Sequence, residues 1–564
     1  MSYQIEFIEA RNGNPVITVN NYLLHSKYDP LREAERICQK EYIENYVHIV
    51  FGYGMGYIVN ELKKQIKNDE IILIVDPLKE ELKIKDNQVY SINELKEFKN
   101  NLKNSLEHYS REVKVICSPN YEKVAPNSYK SILQIVKDIQ MSNIVYDNTI
   151  QLWGEKWQEN SIHNLTFLTN DQPLTALYQF TNKPIVIASG GPSLIKQLPI
   201  LRKIRNKVIL IAAGSTINSL LKNDIIPDFV VSIDGGEANY KHFKDIESEG
   251  TSLIYGVSSH YKIQKEWKNK RFIFAGIEDQ DLQAKVKMKY GVDLPLIKGG
   301  GSVANYCYSI AIRMTSGPIT FIGQDLAYTN LQSHALGNRA TKVVTEEYLI
   351  KRSAFKTLDY EGEEIYTDYA FTSMKESFEN LVKDNPHKPG IYNCTEGGVS
   401  IEGFTNYSFK KFANEVIDFD KRELVNTTNS FPLIKWQAIE SEFKKEMKLY
   451  SLLEEACLKL ILSLKQDFHK KYFSKETLKL LKHTDAQIKE IVENELSVQS
   501  IMEPLIKQVL TKYKGTSREN NIEKFERVYH QNIAWYSGIQ GIMKRMKHFT
   551  QSAIELGVEN NCKN

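Results

Sequence analysis

The stretch IVIASGGPSL at positions 185–194 decides how the rest of this chain is read. Four apolar, mostly β-branched residues predict a short buried strand over 185–188. Ser189, Gly190, Gly191, Pro192 and Ser193 follow as a tight turn, and a helix is predicted from about Leu194. Glycines let a backbone come close to a ligand. Free N–H groups at a helix start, helped by the helix dipole, face an anion well. Ser189 and Ser193 would add hydroxyl donors. The same pattern also fits a plain strand-to-helix turn with a serine cap.

On either side of this stretch, β-rich runs recur at 208–212, 229–233, 252–257, 272–275 and 319–322, separated by helical stretches or loops. Several are apolar on both faces, as in a parallel sheet covered by helices, so the middle of the chain reads as a layered, Rossmann-like α/β domain. Lys298, Gly299, Gly300, Gly301 and Ser302 form a second glycine loop before the helical stretch VANYCYSIAIRM. Two such loops leaving one parallel sheet would share its carboxyl edge, where these folds bind ligands.

A third signal is ITFIGQDLAY at 319–328, a strand that delivers Gln324, Asp325 and Tyr328 to that edge, with His334 in the polar loop beyond. A carboxylate, an imidazole and a phenol together supply a base, an acid and hydrogen-bond donors. Asp234 ends PDFVVSIDGG and suits a ribose hydroxyl, a metal or a neighbouring N–H. Asn218 and Asp228 are weaker candidates. The segments YTD at 366–368 and YNCTEGG at 392–398 either close the pocket or only turn the chain.

The flanks differ. YVHIVF at 46–51, the loop Gly52, Tyr53, Gly54, Met55 and Gly56, a helical stretch, IILIV at 71–75 and then Asp76 make a βαβ-like unit. Its G-x-G-x-G spacing is shorter than the dinucleotide fingerprint. A degenerate Rossmann-like scaffold is the expected reading and an S-adenosylmethionine site the rival. Farther on, Trp153 and Trp157 share a face of a polar helix. Past about 430, glycine and proline nearly vanish. Phe443, Met447, Tyr450, Leu453, Cys457, Leu460 and Leu464 then fall on one helical face, predicting a bundle of three or four helices. The expected domains are 1–175 (α/β), 176–425 (central, catalytic) and 426–564 (helical).

Whole-chain properties narrow the function. Of 564 residues 42% are hydrophobic, enough for packed cores, and a net charge of +3 gives no pull toward nucleic acid or anionic membrane. The six cysteines stand singly, without zinc or disulfide spacing. No signal peptide is expected from the start MSYQIEFIEARNG, and no run reaches the roughly 18 apolar residues of a membrane helix. A cytoplasmic protein is the expectation, with neither nucleic acid nor membrane as partner.

The runs ASGGPSL, PDFVVSIDGG, GGGSVANYCYSIA, IGQDLAYTNLQSHA and IYNCTEGGVSIEG, in this order across about 180–405, resemble the motility-associated factor (Maf) family of flagellin glycosyltransferases. The central domain of that family is similar to bacterial sialyltransferases, a GT-A-type fold that also carries a strand–GPSL–helix turn. The resemblance implies transfer of a nonulosonic acid, of pseudaminic or legionaminic type, from its CMP form to Ser or Thr of flagellin in the cytoplasm. It implies no cofactor beyond the CMP-sugar donor; no Asp-x-Asp pair is read in the central block, so no metal site is expected. By position, Ser189, Gly190, Gly191, Pro192 and Ser193 would meet the nucleotide phosphate, and Asp234 the nucleotide or its ribose. Gly300, Gly301 and Ser302 would line the donor, and Gln324, Asp325, Tyr328 and His334 the reacting centre. This chain reads SGGPSL where SGPSL is expected of many relatives. A related branch holds archaeal pterin pyrophosphokinases, which makes a pterin diphosphokinase the second reading. A non-enzymatic flagellin chaperone is the third.

Overall fold

The computed structural model describes residues 3–67, 70–107, 112–386, 390–417, 434–494, 498–515 and 519–562. The chain forms two compact units, Met1–Leu152 with Glu503–Trp535, and Trp153–Met502 with Tyr536–Asn564. The block boundary expected at 425/426 lies outside the described residues. The one at 175/176 falls inside the single helical turn Leu174–Leu177.

The second unit is built on a parallel sheet. Its strands lie in the order Leu296–Ile297, Arg271–Gly276, Ser252–Gly256, Phe229–Ser232, Ile209–Ala213, Ile185–Ala188, Ile319–Ile322, Ile391–Asn393 and Thr405–Asn406, with Gln172–Pro173 beside Arg271–Gly276. The chain starts near the middle at Ile185–Ala188, steps outward to Leu296–Ile297, and returns to the other side of its starting strand at Ile319–Ile322. The strand order therefore reverses at Ile185–Ala188, which opens a crevice beyond its carboxyl end. All four residues of that strand are buried, which is why it reads as an unbroken apolar run. Ile185 and Ile187 pack with Ile211, Val231, Phe274 and Phe321 beneath the helix Val303–Met314. Truncating Ile187 to alanine would cost about 2–5 kcal/mol.

The tail is helical, with helices Trp436–Phe468, Lys475–Asn494, Gln499–Lys512 and Asn521–Cys562. Phe443, Tyr450, Leu453, Cys457, Leu460 and Leu464 face inward as expected. At the next step of that face, however, Glu446 is buried while Met447 is only half-buried. Glu446 is tolerated there because Lys289 lies 2.9 Å from its carboxylate, a pairing invisible to a search for apolar periodicity.

In the first unit the parallel sheet runs Val89–Tyr90, Ile72–Val75, Val47–Phe51, Val113–Cys117, beside an antiparallel sheet of Ile5–Glu9, Pro15–Val19 and Tyr22–Leu23. The Gly52–Gly56 loop is filled from within. A side chain on Gly52 would strike the Tyr121 ring at 2.4 Å, and one on Gly54 would meet His25 Nε2 at 2.5 Å. The Asp76 carboxylate is spent on the loop itself. It accepts from Tyr53 N (2.7 Å), Gly54 N (3.0 Å), Leu78 N (2.7 Å) and the Tyr121 hydroxyl (2.8 Å). An acid with four internal donors and no exposure is not presented to a ribose. The degenerate-scaffold reading of this loop has a physical basis: Tyr121 and His25, from outside the loop, fill the space beside its glycines.

Candidate active site

At the strand-order reversal of the second unit lies a cavity of about 290 Å³. Ser189, Gly190 and Gly191 line it from the turn after Ile185–Ala188, and Gly214, Ser215 and Thr216 from the turn after Ile209–Ala213. Asp234, Ser302, Gln324 and Asp325 come from three further strand ends or loops, and His334 from the loop beyond. Asn239 and His242 project from the helix Glu237–Phe243, and Phe371 and Met374 from Tyr369–Lys383. Eight of the thirteen residues singled out in the sequence thus meet at one cavity: Ser189, Gly190, Gly191, Asp234, Ser302, Gln324, Asp325 and His334.

Asp325 points back into the protein. Its Oδ1 accepts from Ser193 Oγ at 2.6 Å, and Ser193 N lies 3.3 Å from both carboxylate oxygens. The approach is so close that a methyl on Gly191 would sit 2.1 Å from Asp325 Oδ2. Burial pushes the Asp325 carboxyl pKa up, and the Ser193 hydrogen bonds oppose this. On the far side, a side chain on Gly398 would meet the Asp325 carbonyl oxygen at 2.0 Å, and Val399 N donates to that oxygen at 2.9 Å. The TEGG turn therefore buttresses Asp325. Asp325 pins the glycine turn to the neighbouring strand end, and Ser193 is consumed in that pin.

His334 stands on the open side. Its ring lies 3.4 Å from where a methyl on Gly190 would be, and Ala335 N donates to Gly190 O at 2.9 Å, tying its loop to the turn. Its Nδ1 lies 3.2 Å from Ser333 Oγ. Burial lowers its pKa, and the nearby His242 and Lys342 add to the shift, so the ring is neutral at pH 7. Asp234 occupies another part of the lining. Its side chain is open to water, yet protein closely surrounds it, as in a concave site, and desolvation raises its pKa. The turn that carries it is gripped by one long helix, Pro126–Leu165. Methyls on Gly235 and Gly236 would touch Trp157 (2.8 Å) and Trp153 (3.0 Å), and Asn160 Nδ2 donates to Gly235 O at 3.0 Å. The tryptophan pair seen in the sequence thus holds the Asp-Gly-Gly turn.

The other candidates lie elsewhere. Tyr328 is turned away, its hydroxyl donating to Asp368 at 2.6 Å beside Arg352. Pro192, Gly300 and Gly301 do not line the cavity. In the triple-glycine loop, a methyl would meet Tyr306 at Gly299 (2.0 Å), Ser377 at Gly300 (2.5 Å) and Met374 at Gly301 (3.3 Å). That loop makes room for protein side chains, and only its last residue, Ser302, reaches the cavity. Ser302 also caps the helix Val303–Met314 through Asn305. Asp228 bonds Leu210 N (2.7 Å) and pairs with Arg205 (3.0 Å), a structural role at the opposite strand ends.

An Asp-x-Asp spacing passed over in the sequence occurs at Asp279 and Asp281. Asp279 accepts from Gly276 N at 3.3 Å, its pKa raised to about 7 by burial and by Glu278, while Asp281 pairs with Lys285 at 3.0 Å. Among the described residues, no three His, Cys, Asp or Glu side chains gather as a metal site requires. The polar residues missed outright include Thr216, Asn239 and His242, and Phe371 and Met374 were missed with them. The signal for Thr216 was AAGSTIN at 212–218, a third strand–glycine–hydroxyl turn; His242 carries no motif.

Four polar atoms of the lining are buried without a hydrogen-bond partner: Ser189 Oγ, Thr216 Oγ1, Gln324 Oε1 and His242 Nδ1. Each such group costs about 1–3 kcal/mol when left unpaired. Four such atoms on residues that line one cavity mark a place built for a polar ligand.

Comparison with solved structures matches the chain to the structure of a MAf glycosyltransferase from Magnetospirillum magneticum AMB-1, over 99% of this chain and 93% of that one, with a TM-score of 0.57 at 13% identity. The fold is the Maf fold. The family model described as 6-hydroxymethylpterin diphosphokinase MptE-like matches residues 159–331. Within the Maf fold that segment holds the glycine turn, Thr216, Asp234, His242 and Asp325. Comparison with curated proteins gives no match. No described helix of this Maf-fold chain is long and apolar enough to cross a membrane.

Proposed function

We propose that this protein is a glycosyltransferase that moves a nonulosonic acid, of legionaminic or pseudaminic type, from its CMP form to Ser or Thr of flagellin in the cytoplasm. The observation that carries the reading is the set of four unpartnered polar atoms around a glycine turn at the strand-order reversal. Such a turn suits a phosphate, and the Maf fold supports a sugar nucleotide as its source. The phosphate lies against Ser189, Gly190 and Thr216, and Asp234 with Asn239 takes hydroxyls of the ribose or sugar. The bond from the anomeric carbon to the phosphate oxygen breaks, and the acceptor oxygen bonds to that carbon through an oxocarbenium-like transition state. The acceptor proton goes to neutral His334, and CMP leaves. Asp325 holds the turn in place and is not the base, because its carboxylate is committed to Ser193.

Flagellin is the proposed acceptor, with the 1–175 and 426–564 blocks as surfaces for it. The test is intact-mass measurement of flagellin co-expressed with and without this protein in a host that makes one CMP-nonulosonic acid. A gain of one or more sugar masses supports transfer; an unchanged mass with tight flagellin binding leaves a chaperone. The match over 159–331 favours one second reading, transfer of diphosphate from ATP to a hydroxymethylpterin. Formation of pterin diphosphate from ATP and magnesium by the purified chain would decide for it.

A further inference from the structure

The phosphate end of the cavity holds a residue that no sequence pattern marks. His242 sits at the end of the helix Glu237–Phe243 and is fixed from two sides. Asn218 Nδ2 donates to its carbonyl oxygen at 3.0 Å and to Ser215 O at 3.1 Å, tying it to the turn that carries Thr216. Arg339 donates to the carbonyls of Lys241 (2.6 Å) and Lys244 (3.0 Å), tying the same helix end to the His334 loop. The ring lines the cavity, and its Nδ1 is buried with no partner. Such close anchoring of an unpaired nitrogen is unexplained by the packing of the empty protein.

We propose that His242 is a ligand for the donor's phosphate: as the phosphate enters, the imidazole takes one proton from solvent and its Nδ1–H donates to a phosphate oxygen, while His334 stays neutral as base. The inference rests on the sugar-nucleotide reading above. In the empty protein, burial lowers the pKa of His242 and the Arg339 charge lowers it further. His334 is lowered by burial and by His242 and Lys342. Both rings are thus neutral, and the charged groups bearing on the pair, Arg339 and Lys342, are cationic. No carboxylate figures among the causes of either shift. A phosphate reverses the balance: its charge favours imidazolium, and a charge-assisted hydrogen bond forms to an atom that lacked one. The two rings repel as cations, so protonation stops at one. His242 takes the proton because its Nδ1 is free, whereas His334 Nδ1 already meets Ser333. A cation is thereby in place when negative charge grows on the leaving phosphate.

The experiment is calorimetric titration of the full chain at pH 7.5 with CMP, with inorganic phosphate and with cytidine, in two buffers of different ionisation enthalpy. The expected result is uptake of close to one proton per CMP or phosphate bound, and none with cytidine. His242→Asn keeps an N–H near the Nδ1 position but cannot titrate. At pH 7.5 it should bind CMP with no proton uptake. His242→Phe should weaken CMP at least about tenfold while its melting temperature stays within a degree or two. CMP binding without proton uptake, or undiminished uptake in His242→Asn, overturns this proposal and leaves the sugar-nucleotide reading standing. Phosphate binding with uptake and no CMP binding supports the anion site and sinks the nucleotide. Failure of both probes to bind sinks both.

Discussion

Gly190 and Gly191 are neighbours, and alanine at each should do opposite things. At Gly191 the methyl would lie 2.1 Å from Asp325 Oδ2 and 2.5 Å from Gly323 O. The carboxylate moves only by giving up its 2.6 Å bond to Ser193, and the carbonyl is backbone, already accepting from Gly191 N at 2.8 Å. Overpacking of this kind costs about 1–3 kcal/mol and loss of a hydrogen bond to a charged group about 1.5–3 kcal/mol, together roughly 2.5–6 kcal/mol. For a unit this large that lowers the melting temperature by roughly 3–10 °C. At Gly190 the methyl meets only side-chain atoms, Asn338 Nδ2 at 3.1 Å, Thr216 Oγ1 at 3.3 Å and His334 Cδ2 at 3.4 Å. These yield by tenths of an ångström, and the lost chain entropy of glycine offsets the strain, so stability should stay within about 0.5 kcal/mol. On the proposed reading the methyl enters the place of the phosphate, and CMP affinity should fall at least about tenfold. Calorimetric melting and CMP titration of both variants measure this. Gly191→Ala melting like the wild type, or Gly190→Ala binding CMP normally, would refute the assignment of one glycine to the pin and the other to the ligand.

His334→Ala should lower transfer at least about a hundredfold with little change in melting, as loss of a general base does, read from initial rates on purified flagellin. Asp325→Ala should lose activity and stability together, since it unpins the turn; activity loss at unchanged stability would return it to the list of bases. In the first unit, burial lowers His25 to a pKa of about 4 against an unfolded value near 6.5. The unfolded chain binds the extra proton, so this contribution, on the order of 3 kcal/mol, is complete above pH 6.5 and is lost as pH falls toward 4. Urea melts of wild type and His25→Asn across that window test it: the wild type should lose its advantage as acid is added. Tyr121→Phe removes one of the four donors to buried Asp76 and should destabilise the first unit by about 1–3 kcal/mol, while S-adenosylmethionine shifts the melting of neither protein.

The strand–turn–helix at 185–194 was legible because its signals are local: an apolar run, a glycine turn and a helix start. The sheet followed from repetition of such runs. What the sequence concealed depends on direction. Asp325 and Tyr328 lie at a strand end as read, but Asp325 faces Ser193 and Tyr328 faces Asp368. Nothing in IGQDLAY says which way a side chain turns. Glycine is ambiguous for the same reason. Gly190 lines the cavity and is met only by yielding side-chain ends, whereas Gly191, Gly300 and Gly398 make room for closely packed atoms of the protein, and a missing side chain looks alike in either case. His242 was invisible because its value comes from Asn218 and Arg339, neighbours 24 and 97 positions away. Met447 was read on the inner face where Glu446 stands, because the Lys289 that pairs with Glu446 belongs to another helix altogether.

The pin between Asp325, Ser193 and the TEGG turn also bears on how such a protein diversifies. Close approaches at Gly191 and Gly398 leave little slack on that wall, so substitution there costs stability before it can be useful. Phe371 and Met374, on the helix that closes another part of the cavity, are only partly buried where their side chains pack on the core. A laboratory repertoire aimed at accepting a bulkier or differently acylated sugar should therefore be randomised at those two positions, where the protein has room to negotiate.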